Sequence, residues 1–280
     1  MNYHFFQKVI FTLVLCLALE SPVLAEFPQL SVTNDPVEVR FICLAPSPYR
    51  NRHDSLRAGF GIFLLLRQAI DENHLNISTS YYDGSTFYEN TQKIQAVLNG
   101  PEVILLGGST WAQGPAYYVR RFFELAGTTN LSGVSASAWA TAGGAHTGGE
   151  LVVSTTLRSL MGMGAKIFTL GQKYMVFTTD ERLFPAAGAF SLLDLWYMDQ
   201  FARNIAVEAL VGNDRAKAKK LSQELGTSPY YFQQNFPPSP RKLSEYVDLQ
   251  RRLNAAANPN SPEYKELRAM LANDTSKAGK

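Results

Sequence analysis

Two glycine-rich segments are the parts of this sequence whose residue types suit the binding of a ligand. The first covers residues 107–114 (Gly-Gly-Ser-Thr-Trp-Ala-Gln-Gly) and follows the apolar run 103–106. The second covers residues 141–150 and follows the strand-like run 134–140. A short run of this kind that ends in glycines before a helix presents backbone N–H groups at the carboxyl edge of a parallel sheet, where open α/β sheets bind their ligands. Two such loops on successive strands predict a single site formed by both.

The elements that must carry these loops alternate along the chain. Buried-type strand patterns and helix patterns follow one another five times, which is typical of a doubly wound parallel sheet flanked by helices. The predicted strands are residues 37–44, 75–82, 102–106, 134–140 and 166–170. The predicted helices are residues 55–72, 87–98, 115–126, 150–163 and 191–211, with a loop over 171–189 before the last of them.

The N-terminal segment does not fit that alternation. Residues 1–8 are weakly basic, residues 9–19 form an apolar run, and residues 21–25 contain a proline and small residues up to Ala25. This is the layout of a secretory signal peptide, and the run is too short to span a bilayer. We expect cleavage after Ala25 and export to the periplasm or the extracellular space, with no transmembrane span left after cleavage. An uncleaved membrane anchor is the alternative.

The composition limits the classes of function. With 26 Lys and Arg against 24 Asp and Glu, the net charge of +2 predicts no general attraction to nucleic acid or anionic lipid. Cys43 is the one cysteine left after signal cleavage, so no intramolecular disulfide can form. It lies in a predicted buried strand, where a structural thiol is expected. Four scattered histidines, with no CxxC or HExxH motif, predict no metal site.

The two glycine-rich segments resemble the flavodoxin-like superfamily. Within it they are most similar to the NAD(P)H:quinone oxidoreductases of the tryptophan-repressor-binding-protein type. Residues 108–111 with Gly114 resemble the segment that lies along the isoalloxazine ring of FMN, and residues 143–150 resemble the second flavin loop of that family. The similarity covers roughly residues 37–211. It implies a flavodoxin-like five-stranded parallel sheet flanked by helices, and FMN as the cofactor.

The resemblance implies that both loops contact the flavin ring. Backbone N–H groups of glycine-rich loops can approach the polar ring atoms without obstruction by side chains. Trp111 could stack on the flat ring, or be a lid residue over an empty cleft. His146, in the middle of the second loop, is the candidate catalytic residue that could orient a quinone oxygen or relay a proton, with an ordinary loop histidine as the alternative. The predicted ring-contacting residues are Ser109, Thr110, Trp111, Ala112, Gln113, Gly114, Thr141, Ala142, Gly143, Gly144 and Gly148.

The loop after the first strand departs from the family pattern. In the family this loop is rich in Ser, Thr and Gly, and its N–H groups hold the FMN phosphate at a helix N-terminus. Here Pro46 and Pro48 remove two N–H donors, and Asp54 opposes a dianion unless it caps the helix. Arginine can replace lost donors because its guanidinium matches phosphate geometry. The residues predicted to hold the phosphate are Ser47, Arg50, Arg52, His53 and Ser55.

The chain divides into four predicted parts: a signal peptide (1–25), a linker (26–36), a flavodoxin-like domain (37–211) and a helical, proline-containing extension (212–280). Helices are predicted in the extension over residues 213–225, 241–256 and 261–273. Its surplus of Lys and Arg indicates a solvated surface, either for docking or without a partner.

The function predicted from these observations is that of an exported FMN-binding protein. The resemblance implies hydride transfer to the flavin and two-electron reduction of a quinone or another small acceptor, with NAD(P)H as the electron donor. Because nicotinamide cofactors are scarce outside the cell, another donor is left open. The alternative is a secreted flavodoxin-like binding module that has lost FMN and redox activity. A homo-oligomer is left open as well.

Overall fold

A parallel sheet with helices on both faces lies at the centre of the molecule. The computed structural model describes residues 35–44, 54–111, 114–127, 129–142, 148–169, 175–178, 190–211, 215–226 and 241–277. The strands are β1 (Val37–Leu44), β2 (Ile77–Asp83), β3 (Val103–Trp111), β4 (Gly114–Pro115), β5 (Ser135–Ala142), β6 (Lys166–Ile167) and β7 (Val176–Thr178). The helices are α1 (Asp54–Asn73), α2 (Thr91–Leu98), α3 (Tyr117–Ala126), α4 (Gly149–Gly162), α5 (Leu192–Val211), α6 (Arg215–Glu224), α7 (Leu243–Ala255) and α8 (Pro262–Lys277).

The strand order defines the fold. The parallel strands lie in the order β2-β1-β3-β5-β6, while the short β4 pairs with β3 in the antiparallel sense. Without β4, this is the 2-1-3-4-5 order of a flavodoxin-like sheet. The predicted fold class is therefore confirmed. In this order β2 lies on one side of β1, and β3 lies on the other side. The topological switch point is therefore between β1 and β3.

Side chains alternate between the two faces of the central strands, and helices cover both faces, which explains why the second half of β1 and the first half of β3 are apolar. In β1, Phe41 and Cys43 face a core shared with α1 and α5, whereas Ile42 and Leu44 face a core shared with α2 and α3. Both faces are covered by helices from Phe41 to Leu44, whereas Glu38 and Arg40 nearer the start of β1 are partly exposed and form an ion pair.

Strand β3 is longer than predicted. The sequence predicts a strand that ends at residue 106 and a loop from 107 onward, but Gly107 and Gly108 continue the ladder with both β1 and β5. The strand then turns back through Trp111 and Gly114, and Pro115 belongs to β4 instead of the following helix, which begins at Tyr117. The prediction was wrong here because the first glycine pair serves packing inside the sheet instead of forming a loop.

The last parallel strand is divided into two pieces. Strand β6 pairs with the beginning of β5, and β7 pairs with its end. The sequence predicts one strand over 166–170 and a loop over 171–189, so β7 was missed. Met175 and Phe177 are fully buried on either side of Val176, and this burial is the physical reason for the extra strand.

The C-terminal helices pack on the sheet domain through their apolar sides. In α7, Tyr246, Leu249 and Leu253 join the core formed by α1 and α5, and in α8 Leu267 and Leu271 join the same core. Helix α8 also lies along β2, at the edge of the sheet. The predicted solvated surface is thus limited to the outer sides of these helices. Among the described helices, none combines the length and the apolarity needed to cross a membrane.

A buried ionic cluster fastens α7 to α5. The carboxylate of Asp199 in α5 is 0% exposed and accepts hydrogen bonds from Arg203 Nε (3.2 Å), Arg241 Nε (2.7 Å) and the Tyr246 hydroxyl (3.1 Å). A further N–H of Arg203 donates to the carbonyl of Leu225 at 2.8 Å. The residues before and within α7 are therefore tied to the middle of α5 by charge-assisted bonds in a place that water does not reach.

Candidate functional site

The carboxyl ends of the central strands form a step at the switch point. Leu44, the last residue of β1, lies level with Gly108 of β3. Strand β3 continues for three residues beyond that level, and β5 continues beside it with Thr141 paired to Ser109. Ligands of doubly wound sheets bind outside the carboxyl ends of the strands at such a switch point. The side chains at this step are therefore the candidate site.

Hydroxyl groups join the first turn of α1 to this step. Ser55 is 2% exposed, and its hydroxyl donates to the carbonyl of Gly108 at 2.9 Å and is hydrogen-bonded to the Thr141 hydroxyl. The Thr110 hydroxyl donates to the carbonyl of Thr141 at 3.5 Å. Three predicted site residues, Ser55, Thr110 and Thr141, are thus brought together. The hydroxyl of Ser55 already has protein partners, and its contact with a phosphate stays a prediction.

Ser109 contributes a buried hydroxyl to this step. Its Oγ is buried and has no hydrogen-bond partner among the described residues, although its carbonyl accepts from the N–H of Ala116 at 3.3 Å. A buried hydroxyl without a partner costs about 1–3 kcal/mol, so such groups are uncommon unless a ligand or water satisfies them. A hydroxyl can both donate and accept, which suits the carbonyl oxygens and ring nitrogens of a flavin. In this respect the hydroxyl of Ser109 fits the ring of FMN.

The start of α4 lies after the second glycine-rich segment. Gly148 has a φ of 92°, a left-handed conformation that favours glycine, and provides no side-chain cap for the helix. Gly149 packs against Val176, and a Cβ at this position would lie 2.2 Å from the valine side chain. Glycine is therefore favoured at position 148 by the backbone conformation and at position 149 by the close approach of Val176. The contact between Gly148 and the cofactor stays a prediction.

Two buried aromatic residues of the sheet donate hydrogen bonds to the first turn of α1. The indole N–H of Trp139 in β5 donates to the carbonyl of Ser55 at 3.1 Å, and the hydroxyl of Tyr81 in β2 donates to the carbonyl of Leu56 at 2.8 Å. Burial, followed by the nearby Cys43 and Asp83, raises the pKa of Tyr81 well above its ordinary value, so its hydroxyl keeps the proton that it donates. Sequence reasoning missed both residues. A tryptophan in a strand of small residues was the available signal.

Several predicted site residues lie outside the described part of the chain, or are described only in part. For Trp111 the structure gives the backbone, which pairs with Gly114, and Ala142 ends β5 at the edge of the step. The predicted residues that lie outside the described ranges are Ser47, Arg50, Arg52, His53, Ala112, Gln113, Gly143, Gly144 and His146.

A separate groove of about 680 Å³ lies between α1, α7 and α8. Charged side chains of both signs dominate its walls, among them Arg67, Asp71 and Arg252. A flat ring system needs a mostly apolar surface with a few placed polar groups, so this groove does not suit a flavin. Within the described residues, no group of three or more His, Cys, Asp and Glu side chains is placed to hold a metal ion.

Comparison with known proteins gives likeness in structure only. No family model and no curated protein matches the sequence. The chain is similar to a flavodoxin, WrbA-like protein from Agrobacterium tumefaciens (TM-score 0.43, 11% identity, 62% of this chain and 97% of that one). It is also similar to an oxidoreductase from Corynebacterium diphtheriae (TM-score 0.49, 15% identity, 64% of this chain and 99% of that one). A third similar structure is flavodoxin 1 from Bacillus cereus (TM-score 0.41, 16% identity, 63% of this chain and 98% of that one). These likenesses concern the fold, which the strand order of this chain itself defines as flavodoxin-like.

Proposed function

We propose that this protein binds FMN at the carboxyl edge of its sheet and uses it in a redox reaction. The observation that carries the proposal is the step at the β1/β3 switch point, where the ends of β3 and β5 meet the first turn of α1. Flavodoxin-like sheets hold FMN at this switch point. The buried Oγ of Ser109 at the same place, which has no partner among the described residues, adds a polar group suited to the ring.

The residues that would hold the cofactor come from three elements. Ser109 and Thr110 at the end of β3, with Thr141 at the end of β5, would face the ring and its side chain. The first turn of α1 would face the phosphate, because a helix N-terminus carries unpaired N–H groups and a partial positive charge. Arg50 and Arg52, from the loop before α1, would bind the phosphate in place of the N–H donors that the two prolines of that loop remove. When bound, FMN would supply an acceptor for a hydride or for single electrons.

The finer proposal is reduction of a quinone by an exported enzyme. It rests on the sequence: the second glycine-rich segment with His146, and the signal-like N-terminus. In this proposal His146 would hold a quinone oxygen or give it a proton. Steady-state quinone reduction by the loaded protein, with NADH, NADPH or a non-nicotinamide reductant as donor, tests it. Equal rates for the unmodified protein and for His146→Ala would remove that role.

A binding module without FMN is the second candidate. The observations that favour it are the two prolines in the predicted phosphate loop and the Ser55 hydroxyl, which already bonds Gly108 and Thr141. A module of this kind would keep the fold but would not take up flavin, because too few donors would face the phosphate.

Titration of the purified mature protein with FMN and with riboflavin separates the two candidates. FMN binding is expected, and the double variant Arg50→Ala/Arg52→Ala should weaken it by about 2–4 kcal/mol while riboflavin binding changes little. The control replaces Arg67 and Arg251, which lie on α1 and α7 away from the strand ends. A protein that takes up neither compound supports the binding module, and equal affinity for both shows that the arginines hold no phosphate.

Stacking on the ring and export have separate tests. If Trp111 stacks on the flavin, FMN should quench its fluorescence, and Trp111→Ala should weaken binding by about 1 kcal/mol. An unchanged affinity would show that this residue does not cover the ring.

If the signal peptide is cleaved as proposed, sequencing of the exported protein should give a mature N-terminus at or near Glu26. A soluble product that retains Met1 inside the cell would contradict export.

A further inference from the structure

We propose that Trp139 and Tyr81 are positioning residues of the flavin site, which hold the first turn of α1 so that its N–H groups face the cofactor. This inference rests on the proposed binding of FMN. Neither residue lies at the surface where a ligand could touch it, because both side chains are fully buried in the core. Their effect on a ligand must therefore pass through α1.

The two residues bind the helix at consecutive carbonyl groups. Trp139 comes from β5 and donates to Ser55, and Tyr81 comes from β2 and donates to Leu56. The two strands lie on opposite sides of β1 and β3 in the sheet, so the first turn is held from both directions. A third bond, from the Ser55 hydroxyl to the carbonyl of Gly108, fixes the same turn to β3.

Bonds to carbonyl groups leave the N–H groups of the turn uninvolved. The first four N–H groups of an α-helix have no acceptor inside the helix, and they point toward its N-terminus, whereas the carbonyls point the other way. Anchors on the carbonyl side can therefore fix the position of the turn without using the donors that a phosphate would need. A side-chain cap on the N–H groups would fix the turn as well, but it would compete with the anion.

Two glycines make this arrangement possible. A Cβ at Gly59, in the second turn of α1, would lie 2.3 Å from the Tyr81 hydroxyl oxygen and 2.5 Å from Cζ2 of Trp139. A Cβ at Gly107 in β3 would lie 2.0 Å from the Trp139 ring. The indole thus fits between helix and sheet only because both surfaces lack a side chain there.

The test compares flavins with and without the phosphate. Tyr81→Phe removes one hydroxyl and keeps the ring, and Trp139→Phe removes the indole N–H together with part of the ring. The control is Phe122→Leu, a buried change in α3 on the other face of the sheet. In both test variants the affinity for FMN should fall about three- to tenfold, the range for one lost hydrogen bond, while the affinity for riboflavin changes less than about twofold. The control should leave the ratio of the two affinities unchanged.

Amide hydrogen exchange in the cofactor-free protein gives a second readout. The N–H groups of Gly59 and Phe60 pair with the carbonyls of Ser55 and Leu56 in a regular helix. Their exchange should be faster in Tyr81→Phe and in Trp139→Phe than in the control Phe122→Leu, when the variants are compared under conditions that give them equal global stability.

The outcomes separate this inference from the proposed function. No FMN binding by the unmodified protein would remove the proposed function and the positioning role together. If the protein prefers FMN and both test variants keep that preference, the positioning role alone is wrong. A parallel loss of FMN and riboflavin affinity would also overturn it, because general destabilisation would then explain the effect.

Discussion

Two regions of this molecule bury polar groups between secondary-structure elements, and they do so in opposite ways. Between α5 and α7, Asp199 accepts bonds from Arg203, Arg241 and Tyr246, so the acceptors of the buried carboxylate are used within the protein. At the carboxyl edge of the sheet, Ser55 and Thr141 bond to each other, but the Oγ of Ser109 has no partner among the described residues.

The difference distinguishes buried polar groups that stabilise the fold from a buried polar group that is proposed to bind a ligand. A buried charge cluster whose members match one another fixes how two helices meet, and removal of one member leaves the others in a medium where they are costly. A buried hydroxyl at the end of a strand that lacks a partner is costly in the protein alone, and a ligand that bonded it would remove that cost. The first region should respond to mutation through stability, and the second through binding.

The largest effect is expected for Asp199→Ala. Without its carboxylate, the buried Arg203 and Arg241 lose their shared partner, so the free energy of unfolding should fall by about 3–5 kcal/mol in denaturant titration. The control is Asp248→Ala, whose ion pair with Arg251 lies on the surface at 56% and 77% exposure and should contribute less than about 1 kcal/mol. FMN affinity of the folded fraction should not change. Equal effects of the two substitutions would contradict the structural role of the cluster.

A smaller loss of stability is expected for Gly107→Ala. The new Cβ would lie 2.0 Å from the Trp139 ring, and the resulting overpacking should cost about 1–3 kcal/mol. Gly162→Ala in α4 is the matched control, because a Cβ there meets no atom within 4 Å and alanine favours the helix by about 0.5–1 kcal/mol. Thermal or chemical unfolding of both variants measures the difference. Full stability of Gly107→Ala would mean that the indole does not lie against this strand.

The smallest effect is expected for Ser109→Ala, and it should be an effect on binding. Because its Oγ has no partner among the described residues, its removal should leave stability unchanged or raise it by up to about 1 kcal/mol. FMN affinity should fall about three- to tenfold, the range for one lost hydrogen bond. Ser137→Ala removes another buried hydroxyl, beside Met175, and should not alter FMN affinity. A loss of stability without a loss of affinity would place Ser109 with the structural groups instead.

The fold could be predicted from sequence because each strand and helix is marked locally. Apolar runs such as residues 41–44 are buried on both faces, and helices such as α1 follow them at regular spacing. The residues after the glycine pair of the first segment, and the start of the second segment, lie at the carboxyl edge of the sheet as predicted. The segments could not show that Gly107 lies inside β3, since that depends on Trp139, a residue 32 positions away in the chain.

The less predictable features depend on contacts between distant parts of the chain. Tyr81 and Trp139 meet α1 from two different strands, and nothing next to either residue marks that contact. Asp199 and Arg241 are 42 residues apart, and without the fold each has the pattern of an ordinary solvated charge. Local pattern thus identifies the elements and their edge, whereas the groups that hold the edge in place become visible only in three dimensions.

The central claim, that the carboxyl edge of this sheet takes a flavin nucleotide, is tested most directly by NMR titration of the isotope-labelled mature protein with FMN. We expect saturable amide shifts that are concentrated at residues 54–57, 109–111 and 141–142. The amides of α7 and α8, around the ionic cluster, should stay unchanged. Shifts that fail to saturate, or that centre on α7 and α8, would contradict the account.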